Sequence, residues 1–229
     1  MSSEWDNSIS KSRLIDNWMD EYVYSSTGFT DFVRYEYTDN PELQYSGVDV
    51  TFTLNGTKYI CDEKCAAEKV NQDLKTFAFA LSQTNKNDRS VRHYDWFLRD
   101  DMKNDSYMIQ YIDEAYNEDG TKQNQYTLTK DGIKKVTLIL IRKEKIFEYL
   151  AEHKLTKDKL FKANDYMLRR SNSFFPEKIE KNGFKCNDYK YGWVLHRDFN
   201  YEEGTVNVLI KKSELMKMSD WYRTIDIYE

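Results

Sequence analysis

The 229-residue sequence holds only 2 Pro and 8 Gly. That scarcity excludes collagen-like, mucin-like and linker-rich architectures, all of which depend on those residues. Three cysteines, Cys61, Cys65 and Cys186, leave one thiol over in any pairing, so a complete disulfide framework is excluded. Cys61 and Cys65 lie four positions apart, but no second Cys or His pair follows at zinc-finger spacing, and His93, His153 and His196 are scattered. The pattern predicts free thiols in a reducing compartment. Long hydrophobic runs are missing too. The longest, Val136 to Ile141 with Thr137 inside it, is far too short to span a bilayer. Met1 to Ser12 is polar and has no signal-peptide core. These absences predict a cytoplasmic protein with no membrane partner. No GxxxxGK(S/T), GxGxxG or GxSxG string occurs, which excludes a P-loop, a dinucleotide fingerprint and a nucleophile elbow.

What is abundant is aromatic area and charge. The 18 Tyr, 12 Phe and 5 Trp supply enough large rings to bury a core, which a disordered chain lacks. The net charge of −5 argues against a general nucleic-acid coat protein. The charge is nevertheless uneven. Residues 1–129 carry 13 Lys+Arg against 23 Asp+Glu, whereas residues 130–185 carry 15 against 8. An acidic first part followed by a basic stretch allows a metal site beside a polyanion-binding surface, although charges on solvated helix faces give the same count.

Hydrophobic periodicity orders the chain. Leu14, Ile15, Trp18, Met19 and Tyr22 predict a helix over Ser12 to Tyr24, and Phe32, Tyr35 and Tyr37 a short strand. Gly47 to Leu54 alternates and is rich in β-branched residues, Asn55-Gly56 is a strong hairpin-turn signal, and Thr57 to Lys64 returns as the partner strand. A helix is expected over Ala66 to Gln83, strands over Tyr94 to Leu98 and Ser106 to Ile112, and a loop over Asn117 to Asn124. A buried strand over Ile133 to Ile141 and helices over Lys143 to Glu152 and Lys157 to Arg170 follow. Short strands at Tyr191 to Leu195 and Thr205 to Ile210 and a helix at Ser213 to Met218 complete the reading. The mixture predicts an α/β (α+β) class with a mixed central sheet flanked by helices. With no Pro/Gly-rich linker to divide it, the chain reads as a single domain over 1–229, with a core at 12–112 and a basic C-terminal elaboration at 130–229.

The hairpin carries the chemistry. Side chains alternate along a strand, so Asp62 and Lys64 share one face while Cys61, Glu63 and Cys65 take the other. Asp49 lies between Val48 and Val50 on the preceding strand. Charged groups flanked by hydrophobic residues are costly unless they are paired or hold an ion. Two acids raise each other's pKa, and a hard cation such as Mg²⁺ removes that repulsion.

These residues, Gly-Val-Asp49-Val, a hairpin, then Tyr-Ile-Cys-Asp62-Glu-Lys64, resemble the PD-(D/E)XK nuclease superfamily, the restriction-endonuclease-like fold. The resemblance spans roughly the first 110 residues, with Val48 where the family name has Pro. It implies that Asp49 and Asp62 are ligands of Mg²⁺ (or Mn²⁺) and that Lys64 positions or activates the attacking water. It also implies an acid from the preceding helix, for which Glu21 is the first candidate and Glu36 and Glu42 compete. Gln44 is a further candidate for a substrate contact. The implied function is a metal-dependent nuclease hydrolysing phosphodiester bonds, in DNA before RNA, as a two-fold homodimer if both strands of a duplex are cut.

The basic stretch offers phosphate contacts. Arg169 and Arg170 are favoured because guanidinium forks suit phosphates, with Lys134 and Lys135 beside them. Phe174-Phe175, Tyr189, Tyr191 and Trp193 are candidates for base stacking, or for core. Two alternatives stand: a nuclease-fold protein that binds nucleic acid without turnover, and a phage or mobile-element accessory protein of unrelated fold.

Overall fold

A computed structural model describes residues 13–26, 28–36, 39–84, 92–168, 187–188, 193–197 and 205–228. The chain is of mixed α/β class and divides into two compact units that interleave along the sequence. The first takes the described residues to Leu74, Lys103–Arg142 and the end from Ser219; the second takes Lys75–Met102 and Lys143–Met218. Among the described residues no helix is long and apolar enough to cross a membrane.

The first unit is a six-stranded mixed sheet with a helix on one face. Helix α1 covers 13–24, its last turn, Asp20–Tyr24, widening into a π-helix. Ile15, Trp18, Met19 and Val23 recur at helical spacing and are buried. β1 (Phe29–Arg34), the one-turn helix α2 (Pro41–Tyr45), β2 (Val50–Leu54) and β3 (Thr57–Cys65) follow. β6 (Ser106–Ala115), β7 (Ile133–Arg142) and β11 (Trp221–Asp226) complete the sheet, in the order β1-β2-β3-β6-β7-β11. All neighbours are antiparallel except β3 and β6. A parallel pair needs a crossover, and residues 66–105 make it.

The sheet curls around α1. Phe29 lies on one edge strand and Trp221 on the other, yet their rings meet edge-to-face at 5.6 Å. Phe52 joins Phe29 at 5.1 Å, and Tyr24 stacks on Phe32 at 4.4 Å. Val50, Phe52, Cys61, Met108, Leu138 and Leu140 close this core against α1.

The hairpin forms as its turn dictates. Asn55 and Gly56 both have positive φ, 51° and 76°, as a type I′ turn requires. That turn sets the register Leu54↔Thr57 through Val50↔Cys61. A Cβ at Gly56 would meet nothing within 4 Å, so only the left-handed backbone resists a side chain. Gly56→Val should therefore cost about 1–2 kcal/mol, read as a lower urea midpoint with unchanged slope. No loss would mean that the turn does not set the register.

The second unit holds a sheet ordered β5-β4-β10-β9-β8. Its strands are β4 (Thr76–Thr84), β5 (Arg92–Tyr94), β8 (Asn187–Asp188), β9 (Trp193–Arg197) and β10 (Val206–Lys211). Its helices are α3 (Lys143–Glu152), α4 (Lys157–Leu168) and α5 (Lys212–Met218).

Two expectations are corrected. The helix expected over 66–83 is a 3₁₀ turn, Ala67–Lys69, followed by strand β4. Asn71 stops the turn with φ of 61°, and its Nδ2 donates to the carbonyls of Ala115 and Gln123. The apparent helical stripe joined Val70, in the first core, to Phe77 and Leu81, which share one face of β4 with Phe79 at strand period in the second unit. The strand expected over 94–98 ends at Tyr94, because Asp95 accepts from the Trp96 N–H and its carbonyl from the Leu98 N–H, closing a turn. Tyr37 lies outside the described residues.

Candidate active site

The hairpin register extended one step beyond Val50↔Cys61 sets Asp49 opposite Asp62. Asp49 sits just before β2, its N–H donating to the Cys61 carbonyl at 2.9 Å. Its Oδ2 then accepts the Glu63 N–H at 2.7 Å, doing with a side chain what the next strand carbonyl would have done. The carboxylate is thereby held beside Asp62. On β3, Asp62 and Lys64 point to the same face, and Lys64 Nζ lies 3.0 Å from Asp62 Oδ2.

Burial differs sharply across this trio. The Asp62 side chain is 1% exposed and that of Lys64 35%, and Asp49 is half-buried. Apart from the ion pair with Lys64, neither Asp62 oxygen accepts a hydrogen bond among the described residues. Burial therefore pushes the Asp62 carboxyl well above the usual range; Lys64 pulls it back, and Asp49 pushes it further up. Burial wins because one ammonium at the rim cannot replace the water lost from both oxygens. A deep carboxyl whose one donor is a reachable lysine, next to a second carboxylate, offers oxygens of the kind a hard cation takes. Among the described residues no group of three His, Cys, Asp or Glu could hold a metal ion, so the carboxylates here number two.

The opposite face of β3 is separate. Cys61 is fully buried in the α1 core, and Cys65 is half-buried; both are free thiols, pushed up by burial. Glu63 also points there, as its parity requires. It accepts from Arg34, from Tyr24 Oη at 2.9 Å and from Gln110 Nε2 at 3.1 Å. Arg34 reaches Asp20 at 2.7 Å and Asp16 at 3.5 Å as well. One guanidinium thus serves three carboxylates, and burial pushes Glu63 up to about 7 despite it.

This arrangement decides the other candidates. Glu21 does not join Asp49 and Asp62: it is on α1, which covers the face away from them, and it is exposed and paired with Lys130. Glu36 is exposed and lies 3.9 Å from Arg13, and Glu42 is exposed on α2. The Gln44 amide donates to the Tyr35 carbonyl and so braces the loop before Asp49. Lys135 pairs with Asp226 at 3.4 Å and Glu114 at 3.6 Å, and Lys134 lies 6.0 Å from the Tyr228 ring. Along β6, Glu114 is seven residues beyond Tyr107, the neighbour of Asp62. At roughly 3.3 Å per residue, Lys135 is about 23 Å from the acids. Arg169, Arg170, Phe174, Phe175, Tyr189 and Tyr191 lie outside the described residues.

Sequence reasoning missed the Arg34 network. Its members come from α1, β1 and β3 with no repeating spacing, so only the folded sheet brings them together. Compared with known proteins, the chain matches no family model, no curated protein and no solved structure.

Proposed function

We propose that this chain is a metal-dependent nuclease of PD-(D/E)XK type, hydrolysing phosphodiester bonds in nucleic acid, DNA before RNA. One observation carries the reading: Asp49 and Lys64 flank the buried Asp62, whose oxygens have no donor among the described residues besides the Lys64 ammonium. When bound, Mg²⁺ or Mn²⁺ supplies Lewis-acid polarisation of the phosphate and makes water acidic enough to attack near neutral pH. Asp62 and Asp49 are the residues that would hold it. The Glu63 N–H fixes one oxygen of Asp49, which keeps that carboxylate on the face of Asp62. Lys64, held by Asp62 but one-third exposed, would orient the attacking water and exchange a proton at Nζ.

Plasmid and single-stranded DNA and RNA should be cut by the purified protein with Mg²⁺ or Mn²⁺, and chelator should stop it. Lys64→Ala should lose about 10²-fold or more in turnover while still binding Mn²⁺, because Lys64 acts on water rather than on the ion. Unchanged cleavage by Lys64→Ala, or cleavage that survives chelation, would sink the assignment. Salt-sensitive binding without any cutting would favour the non-catalytic alternative.

A further inference from the structure

Just before β6 lies another buried oxygen without a partner among the described residues. Asn104 is 4% exposed, and its Oδ1 receives no hydrogen bond from the described residues. Its Nδ2 points to the Ser106 carbonyl at 3.4 Å, which orients the amide and leaves Oδ1 as the open end. The backbone on either side is tied to the two segments that carry the acids. The Lys103 N–H donates to the Ser46 carbonyl at 2.9 Å, three residues before Asp49. The Asp105 N–H donates to the Ile60 carbonyl at 2.9 Å, and Asp105 Oδ1 accepts the Ile60 N–H at 3.0 Å, two residues before Asp62.

Ser46 leads into β2 on one side of β3, and Asp105 leads into β6 on the other. Segments flanking β3 on both sides can meet only by crossing over one face of it. The α1 core already covers the face of Cys61 and Tyr59, which leaves the Asp62 face for this crossing. Asn104 is the middle residue of the bridge. Ile60 and Asp62 are about 7 Å apart along the strand, within the span of three bridging residues.

We propose, resting on the nuclease reading above, that Asn104 Oδ1 is the third protein oxygen of the Asp49–Asp62 centre, a ligand for a divalent cation. An amide oxygen suits a hard cation, and three protein oxygens leave the remaining positions of an octahedral ion to water and a substrate phosphate. The choice of an amide rather than a third acid also has a physical reason. A third carboxylate would raise the repulsion around a site already holding Asp62 out of water, whereas an amide adds a ligand at no charge.

The test titrates Mn²⁺ into the full chain by calorimetry, with no nucleic acid present. Asn104→Leu should weaken Mn²⁺ about tenfold, while Asn104→Asp, nearly the same shape with one more charge, should tighten it. In chelator, Asn104→Leu should unfold at the same urea concentration as the parent or a higher one, because it removes an unpartnered oxygen. If Asn104→Leu binds Mn²⁺ as the parent does while Asp62→Asn does not, the Asn104 assignment is wrong and the nuclease reading stands. If the parent itself binds no Mn²⁺, both fall. Should Asn104→Leu not fold, Asn104→Asp decides: unchanged affinity overturns the proposal and tighter binding upholds it.

Discussion

Asp62→Asn is expected to abolish metal-dependent cleavage and, in the same molecule, to make the metal-free protein harder to unfold. The side chain is buried, and burial holds its carboxyl well above the usual range. A group whose folded pKa is raised contributes stability below its unfolded pKa, and that contribution is lost as pH rises through the folded value. At neutral pH and above, the Asp62 anion is therefore a cost, which Asn does not carry. Its amide keeps the shape and can donate to the Asp49 carboxylate across the strand pair. A gain of about 1–2 kcal/mol follows for the metal-free protein, alongside a loss of roughly 10³-fold or more in cleavage. Mg²⁺ should raise the unfolding midpoint of the parent and leave that of Asp62→Asn unmoved, since only a site in the folded state links binding to stability. Unfolding curves at pH 8, with and without Mg²⁺, read both effects. A variant that is less stable than the parent without metal would mean that the Asp62–Lys64 ion pair is structural and that the trio is no metal centre.

Arg34→Met is expected to be the most damaging single change on the other face. The guanidinium is 14% exposed and faces Asp16, Asp20 and Glu63. Methionine keeps the stem packed against Tyr24 and Phe32, whose rings lie 5.9 Å and 5.8 Å from the guanidinium carbon, but leaves three carboxylates without their cation. Removing one partner of such a buried cluster costs about 3–5 kcal/mol. The sign with pH is specific. Glu63, pushed up to about 7 from 4.5, stabilises the fold below pH 4.5, and that contribution disappears as pH rises through 7. The Arg34→Met deficit should thus be smaller at pH 5 than at pH 8, because protonated carboxyls need no guanidinium. Adding Glu63→Gln should recover part of the loss at pH 8, measured as a double-mutant cycle in urea. A deficit below about 1 kcal/mol at pH 8 would show that α1 and β3 do not depend on this cluster.

The hairpin and its acids were legible because the signals are local: a turn dipeptide, alternation, and the period-two placement of Asp62 and Lys64. The strand β7 and the helix α3 were equally plain, each a single uninterrupted pattern. Residues 66–83 misled because Val70 and Leu81 are apolar for different reasons, in different cores. β11 was invisible as a strand. Its Tyr222, Arg223 and Thr224 face solvent, so it carries little alternation, and it is a strand because β7 offers it a ladder. Glu21 failed as a site acid because helical spacing says which residues share a stripe but not which face of a sheet the helix will cover. Arg34 acts through partners distant in sequence, Glu63 among them, and a single sequence does not print such pairs.

The parallel pairing of β3 with β6 reaches beyond geometry into timing. The Asn55-Gly56 hairpin can close within microseconds from its own residues. Its neighbour β6, though, arrives only after the 66–105 excursion has been made, and β7 and β11 later still. Contacts so far apart in sequence pay their loop-closure entropy before any reward, which slows folding. On a chain emerging from the ribosome, Asp49, Asp62 and Lys64 therefore come together early on a bare two-stranded ribbon, flooded by water and chemically mute. Only once β6 has docked, setting Tyr107 beside Asp62, can that carboxyl take its buried setting, so the environment that distinguishes it belongs to the later events in the life of the newly made chain.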